Sequence, residues 1–173
     1  MLPDWPPGTV AILATLGAPD AAIGADAAGA AGGVGGSAGG AGGSAGGAGG
    51  SADQAVHAIP VSAAVRAGPR HILIGLGAGR GSLARLRTGP RVALAIIAED
   101  LAVTARGRAR VLDGTLVEGV VAVEIEVDEV DDHDRPTFAI EAGVAWRWTD
   151  ADAERRDHEV REALMRLAAR RAR

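Results

Sequence analysis

The 173-residue chain has no cysteine, no tyrosine and no lysine, and a single phenylalanine. Without cysteine there is no disulfide scaffold, no thiolate metal site and no Cys nucleophile. All 18 basic residues are arginine, and 22 acids outnumber them, for a formal net charge of −4. That balance argues against broad nucleic-acid binding, because counterion release needs net positive charge and base stacking needs aromatic faces. No apolar run approaches the roughly 18 residues of a spanning helix, so no membrane partner is expected. The opening residues MLPDWPPG lack the basic and apolar regions of a secretory signal. A soluble, cytoplasmic protein is the resulting expectation.

What is abundant is glycine, with 26 residues, many of them in one stretch. From about Asp20 to Asp53 the chain is almost entirely Ala, Gly and Ser, repeating GGSAGGA from Gly35. Such a stretch has little to bury and loses much backbone entropy on ordering, so it reads as a flexible insert. Its matches to the serine nucleophile elbow, around Ser37 and Ser44, lack the strand and helix that motif requires. Residues 1–173 are therefore expected to form one domain, interrupted at about 20–53.

Outside the insert, the pattern predicts strands at Thr9–Leu16, Ala55–Val65, His71–Leu76, Arg91–Ala98 and Ala102–Val111. Pro60 places the second of these at an edge or a bulge. Ala67-Gly68-Pro69 predicts a hairpin turn returning His71–Leu76 against that second strand. In Val120–Val130, apolar Val121, Val123, Ile125 and Val127 alternate with Ala122, Glu124, Glu126 and Asp128, the pattern of a half-buried antiparallel strand. Val144–Trp148 also alternates and is expected to be a short strand. Ser82–Thr88 predicts a short helix with Ser82 as N-cap. Asp150–Arg170 predicts a longer one, opened by Thr149 and acids, with an apolar stripe of Val160, Ala163, Leu164 and Leu167. The sum is a mainly β fold: a barrel of six to seven antiparallel strands with a short helix and a C-terminal helix.

Charge is segregated along the chain. Nine arginines and two acids lie between Arg66 and Arg110, and nine acids and no Arg or Lys between Val111 and Asp134. Either the two regions pair, in the fold or between subunits, or the basic half faces an anionic ligand. The turn Gly75-Leu76-Gly77-Ala78-Gly79-Arg80-Gly81-Ser82 is neither a dinucleotide fingerprint nor a P-loop. It does join a strand to a helix N-terminus, where free N–H groups favour a phosphate, with Ser82, Arg80, Arg85 and Arg87 at hand. A plain connection using glycine for its backbone freedom is the alternative.

The order VAILATL, HAIPVSAAV, HILIGL, RGSLARLRTGPRVALAI and TARGRARVL resembles the pyridoxamine 5′-phosphate oxidase-related family of flavin-binding split barrels. A short Ser-x-Leu-x-x-Leu helix running into Gly-Pro-Arg-Val-Ala-Leu, then a strand ending Gly-x-Ala-x-Val, carries the likeness. The resemblance implies a split-barrel homodimer that holds FMN, or the deazaflavin F420, at the subunit interface. It further implies hydride-transfer chemistry on a small-molecule substrate. It maps a phosphate-holding pair onto His57 and Ser62 and a cofactor-binding turn onto Arg80, Gly81 and Ser82, with Arg85 available to complete the clamp. These positions depart from the family pattern, since Ser stands for Lys and Arg for Ser in the turn.

Trp146 or Trp148 could touch a flavin ring or simply pack. His133, in Asp131-Asp132-His133-Asp134, reads as a solvated turn rather than a metal cluster, and Glu154, His158 and Glu162 as intrahelical pairing. No metal is expected, and no catalytic residue is singled out. Three functions stay open: an oxidoreductase, a non-catalytic binder of a flavin or tetrapyrrole, and a cofactor-free dimeric interaction module.

Overall fold

A computed structural model describes residues 1–17 and 55–171; the Gly/Ala/Ser insert, with its elbow-like matches, lies outside the described residues. The elements are β1 (Ala11–Gly17), β2 (Ala55–Val61), β3 (Ala64–Arg66), β4 (His71–Gly77) and α1 (Gly81–Thr88), followed by β5 (Arg91–Ala98), β6 (Leu101–Val111), β7 (Val120–Asp132) and α2 (Ala151–Arg171). The strands form one antiparallel sheet in the order β2-β1-β5-β6-β7-β4-β3. β2 and β3 are neighbours in the chain yet sit at opposite ends of that order, so the sheet must curl until its two ends meet. The result is a half-barrel.

Two of the expected elements differ. The strand expected over Ala55–Val65 is split at Ser62 and Ala63: β2 pairs with β1, and only β3 pairs with β4. Pro60 lies on β2, the end strand, where a missing N–H breaks no ladder. Val144–Trp148 is not a strand. Its residues are mostly exposed and pair with no ladder.

Alternation decides which side chains fill the barrel. Ala11, Leu13 and Thr15 of β1, Val92, Leu94 and Ile96 of β5, Val103, Ala105 and Ala109 of β6, and Val123, Ile125 and Val127 of β7 are all buried. Leu83 and Leu86 of α1 join this core, and Leu2 plugs it from the N-terminal segment. A second core forms where α2 lies on the outside of the sheet: Val160, Leu164 and Ala168 pack on Ala63, Leu73 and Ala122. Gly75 sets how closely α2 approaches, since a Cβ there would stand 2.6 Å from Val160 Cγ1.

The segregated charge is largely resolved across the β6–β7 ladder. Arg106 pairs with Glu129 at 3.2 Å and with Asp131, and Arg110 with Glu124 at 2.5 Å. The register shift between Arg106 and Gly107 leaves Asp128 without an opposite residue, a β-bulge. Gly107 is obligatory there, because a Cβ would meet the Glu126 carbonyl oxygen at 2.0 Å.

Candidate cofactor-binding groove

The residues expected to hold a cofactor fall in three places. Arg80, not Ser82, is the N-cap residue of α1: it is extended (φ −78°, ψ 136°), and its carbonyl accepts the Leu83 N–H at 3.0 Å. No side chain caps this helix. Ser82 lies two residues past the cap, beside Leu83, which is pulled into the barrel, and the serine is buried at 3% exposure. The Arg80 side chain is exposed, its stem 3.4 Å from where a Gly77 Cβ would be. Gly81 and Arg85 are half-buried on the same helix.

His57 lies opposite Thr15 on the paired strand and therefore shares the inner face of the half-barrel with Ile59 and Val61, half-buried at its mouth. The Thr15 hydroxyl donates to the His57 carbonyl at 3.4 Å. Ser62 is engaged elsewhere. Its hydroxyl donates to Asp157 Oδ1 of α2 at 2.5 Å, and Asp157 also pairs with Arg161. Only four residues separate two side chains that the curl sends to different duties. His57 looks into the barrel, and Ser62 ties down α2.

Alternation points to a different site. The residues between the inward ones on β2, β1 and β5 are Val56, Ala58 and Pro60, then Ile12, Ala14 and Leu16, then Ala93, Ala95 and Ile97. They form an outer sheet face with no polar side chain, and α2 covers the opposite half of the sheet. Val56 is 69% exposed, Leu16 40% and Ile97 38%. At one end of this face is a groove of about 340 Å³, floored by Ala14, Leu16, Val56 and Ala93 and edged by Arg91 and Arg106. The C-terminal end of α1 abuts it, since a Cβ at Gly89 would lie 3.2 Å from the Leu16 carbonyl oxygen.

An apolar floor edged by guanidinium groups suits a flat ring system that carries an anion. The groove's lining contains no acid, histidine or thiol. Such a lining can bind and orient a ligand and exclude water from it, but it offers no general acid or base. Residue-by-residue reading of the sequence missed it, although the signal was present: the apolar alternate positions of β1, β2 and β5 lie on both faces, more than one core needs.

The remaining polar candidates are satisfied locally. His133 Nε2 lies 2.8 Å from the Thr104 hydroxyl, and His158 Nε2 lies 3.3 Å from Glu162 Oε1. Trp146 and Trp148 touch each other, with ring centroids 4.8 Å apart and planes tilted by 51°.

No family model matches the chain, and no curated protein does. Solved structures do. Their names run to pyridoxamine 5′-phosphate oxidase-like proteins and flavin reductases. One is a pyridoxamine 5′-phosphate oxidase-like protein from Lactobacillus delbrueckii, 17% identical over 71% of this chain and 84% of that one, TM-score 0.45. Another is HupZ of Group A Streptococcus, 9% identical over 79% and 90%, TM-score 0.47. A third is the flavin reductase of styrene monooxygenase from Pseudomonas putida S12, 10% identical over 75% and 82%, TM-score 0.44. At such identities the likeness concerns architecture and does not say which residues act.

Proposed function

We propose that this chain binds a flavin-type cofactor, FMN or F420, in the groove over β1, β2 and β5, and acts as a homodimeric oxidoreductase in the cytoplasm. The observation that carries the reading is the groove itself: an uncovered apolar floor beside arginines, on a sheet face left bare by α2. An isoalloxazine or deazaflavin ring laid on Ala14, Leu16, Val56 and Ala93 would be desolvated on one side. A second copy of the chain seated on the bare face would cover the other and bury Val56 and Ile97 as well. The bound cofactor supplies hydride transfer; protein groups hold it and keep water away. Of the residues the resemblance maps to the cofactor, Arg80 and Arg85 on α1 are the ones proposed to reach it from the side, whereas His57 faces the barrel interior and Ser82 is buried in it.

The test is reconstitution. Purified protein titrated with FMN and with F420 should quench cofactor fluorescence with one-to-one stoichiometry per chain. The holoprotein should then oxidise or reduce a nicotinamide or F420 partner. Absence of binding to either cofactor at 100 μM would leave the cofactor-free interaction module. A specific observation favours a second reading, the non-catalytic binder: the groove lacks any group that could take or give a proton. Tight binding without turnover would select it.

A further inference from the structure

Arg91 and Arg108 face each other across the β5–β6 ladder. Ala109 N–H donates to the Pro90 carbonyl at 2.7 Å, so the bonded pair is Pro90–Ala109 and the next pair, Arg91–Arg108, is a non-hydrogen-bonded one. Such pairs hold their Cα atoms about 4.5 Å apart, closer than bonded pairs at about 5.5 Å. Two arginines that never lose their charge thereby leave the outer face from directly opposite positions, and like charges so placed on a ladder are destabilising by themselves.

The surrounding acids do not cancel this. Arg91 reaches Asp128 only at 3.9 Å. Glu126 lies opposite Arg108 on β7, but the N–H and C=O of Arg108 point to that side, making it the wider, bonded pair. Among the described residues Arg108 makes no ion pair, whereas the arginines two residues away on either side, Arg106 and Arg110, are both taken up by β7 carboxylates. Arg91 also edges the groove.

We infer that Arg91 and Arg108 form an oxyanion subsite at the groove's rim, which takes the terminal phosphate of the bound cofactor. One phosphate accepting from two adjacent guanidinium forks relieves their repulsion and gains charge-assisted hydrogen bonds. This rests on the groove holding the cofactor, and it places the phosphate on the β5–β6 ladder rather than at Arg80 and the start of α1.

The test compares FMN with riboflavin, which has the same ring and no phosphate, in fluorescence titrations at constant ionic strength. The proteins are wild type, Arg91→Gln, Arg108→Gln, the double variant and Arg80→Ala. The expectation is that wild type prefers FMN by about tenfold or more, the worth of a charge-assisted contact. In Arg108→Gln and the double variant that preference should fall to near one, with riboflavin affinity unchanged. A preference that survives both substitutions, or one abolished by Arg80→Ala instead, overturns the assignment. If neither flavin binds, the groove reading fails separately, and inorganic pyrophosphate then probes the subsite directly. It should raise the melting temperature of wild type and not of the double variant; an equal response from both refutes the subsite. Both substitutions remove exposed like charges, so the unliganded variants should melt at or above the wild-type temperature.

Discussion

Replacing Asp157 by Ala is expected to loosen α2 from the half-barrel. The carboxylate is 6% exposed, accepts from the Ser62 hydroxyl and pairs with Arg161, whose Nε is buried without a partner and whose guanidinium packs over Gly8. A hydrogen bond to a charged acceptor is worth about 1.5–3 kcal/mol, and removing one member of a buried ion pair costs about 3–5 kcal/mol. The Arg161 side chain keeps 24% exposure, so water recovers part of its solvation and the lower end applies. A loss of about 3 kcal/mol follows, or roughly 10 °C in melting temperature for a domain of this size. Asp157→Asn retains an acceptor for Ser62 and should lose about half as much. Calorimetry and urea titration measure both, and a double-mutant cycle with Ser62→Ala should show coupling. A loss under about 1 kcal/mol for Asp157→Ala, or full additivity with Ser62→Ala, would refute the network as the tether of α2. Ser62→Ala should also leave flavin affinity unchanged, because its hydroxyl is committed to α2.

Further outcomes are expected elsewhere. Gly107→Ala forces a Cβ to within 2.0 Å of the Glu126 carbonyl and should cost about 3 kcal/mol or more, read as lost soluble yield or a lower urea midpoint. Ile12→Glu places a charge in the middle of the bare β1 face and should convert a dimer to a monomer in sedimentation, with the melting temperature nearly unchanged; a wild-type monomer at 100 μM would refute that interface. Asp150 accepts the Asp152 and Ala153 N–H groups at 2.8 and 3.0 Å, and these bonds hold its carboxyl below the usual carboxylate range. Its cap therefore contributes at neutral pH and is lost as pH falls through the lowered value, below the ordinary carboxylate midpoint. An NMR titration of the side-chain carboxyl should show that low midpoint, and Asp150→Asn should keep the cap without the pH dependence.

β7 was legible because it alternates over a long span, and β1, β4 and β5 because they are short apolar runs bounded by turn residues. The helix ends were less so. Asp150 caps α2 where Thr149 was expected to open it, a difference of one residue between two polar candidates. Ser82 looked like a cap by type but was pulled inside by Leu83 and Leu86, since burying those two leucines outweighs one capping bond. The strand expected at Val144–Trp148 had the right pattern, but alternation alone does not supply a ladder partner, and it pairs with none.

His57 and Ser62 show the limit most clearly: five residues apart in sequence, they point to the barrel mouth and to α2, because the sheet turns a corner between them.

Local pattern alone determined the β class, the two helices and the restriction of Pro60 to an edge or a bulge, since each depends on neighbours a few residues away. Tertiary structure decided which arginines are paired with β7 carboxylates and which are not, and which apolar face was left bare. Both depend on register and curl, and register is set only when distant strands meet over a shared core.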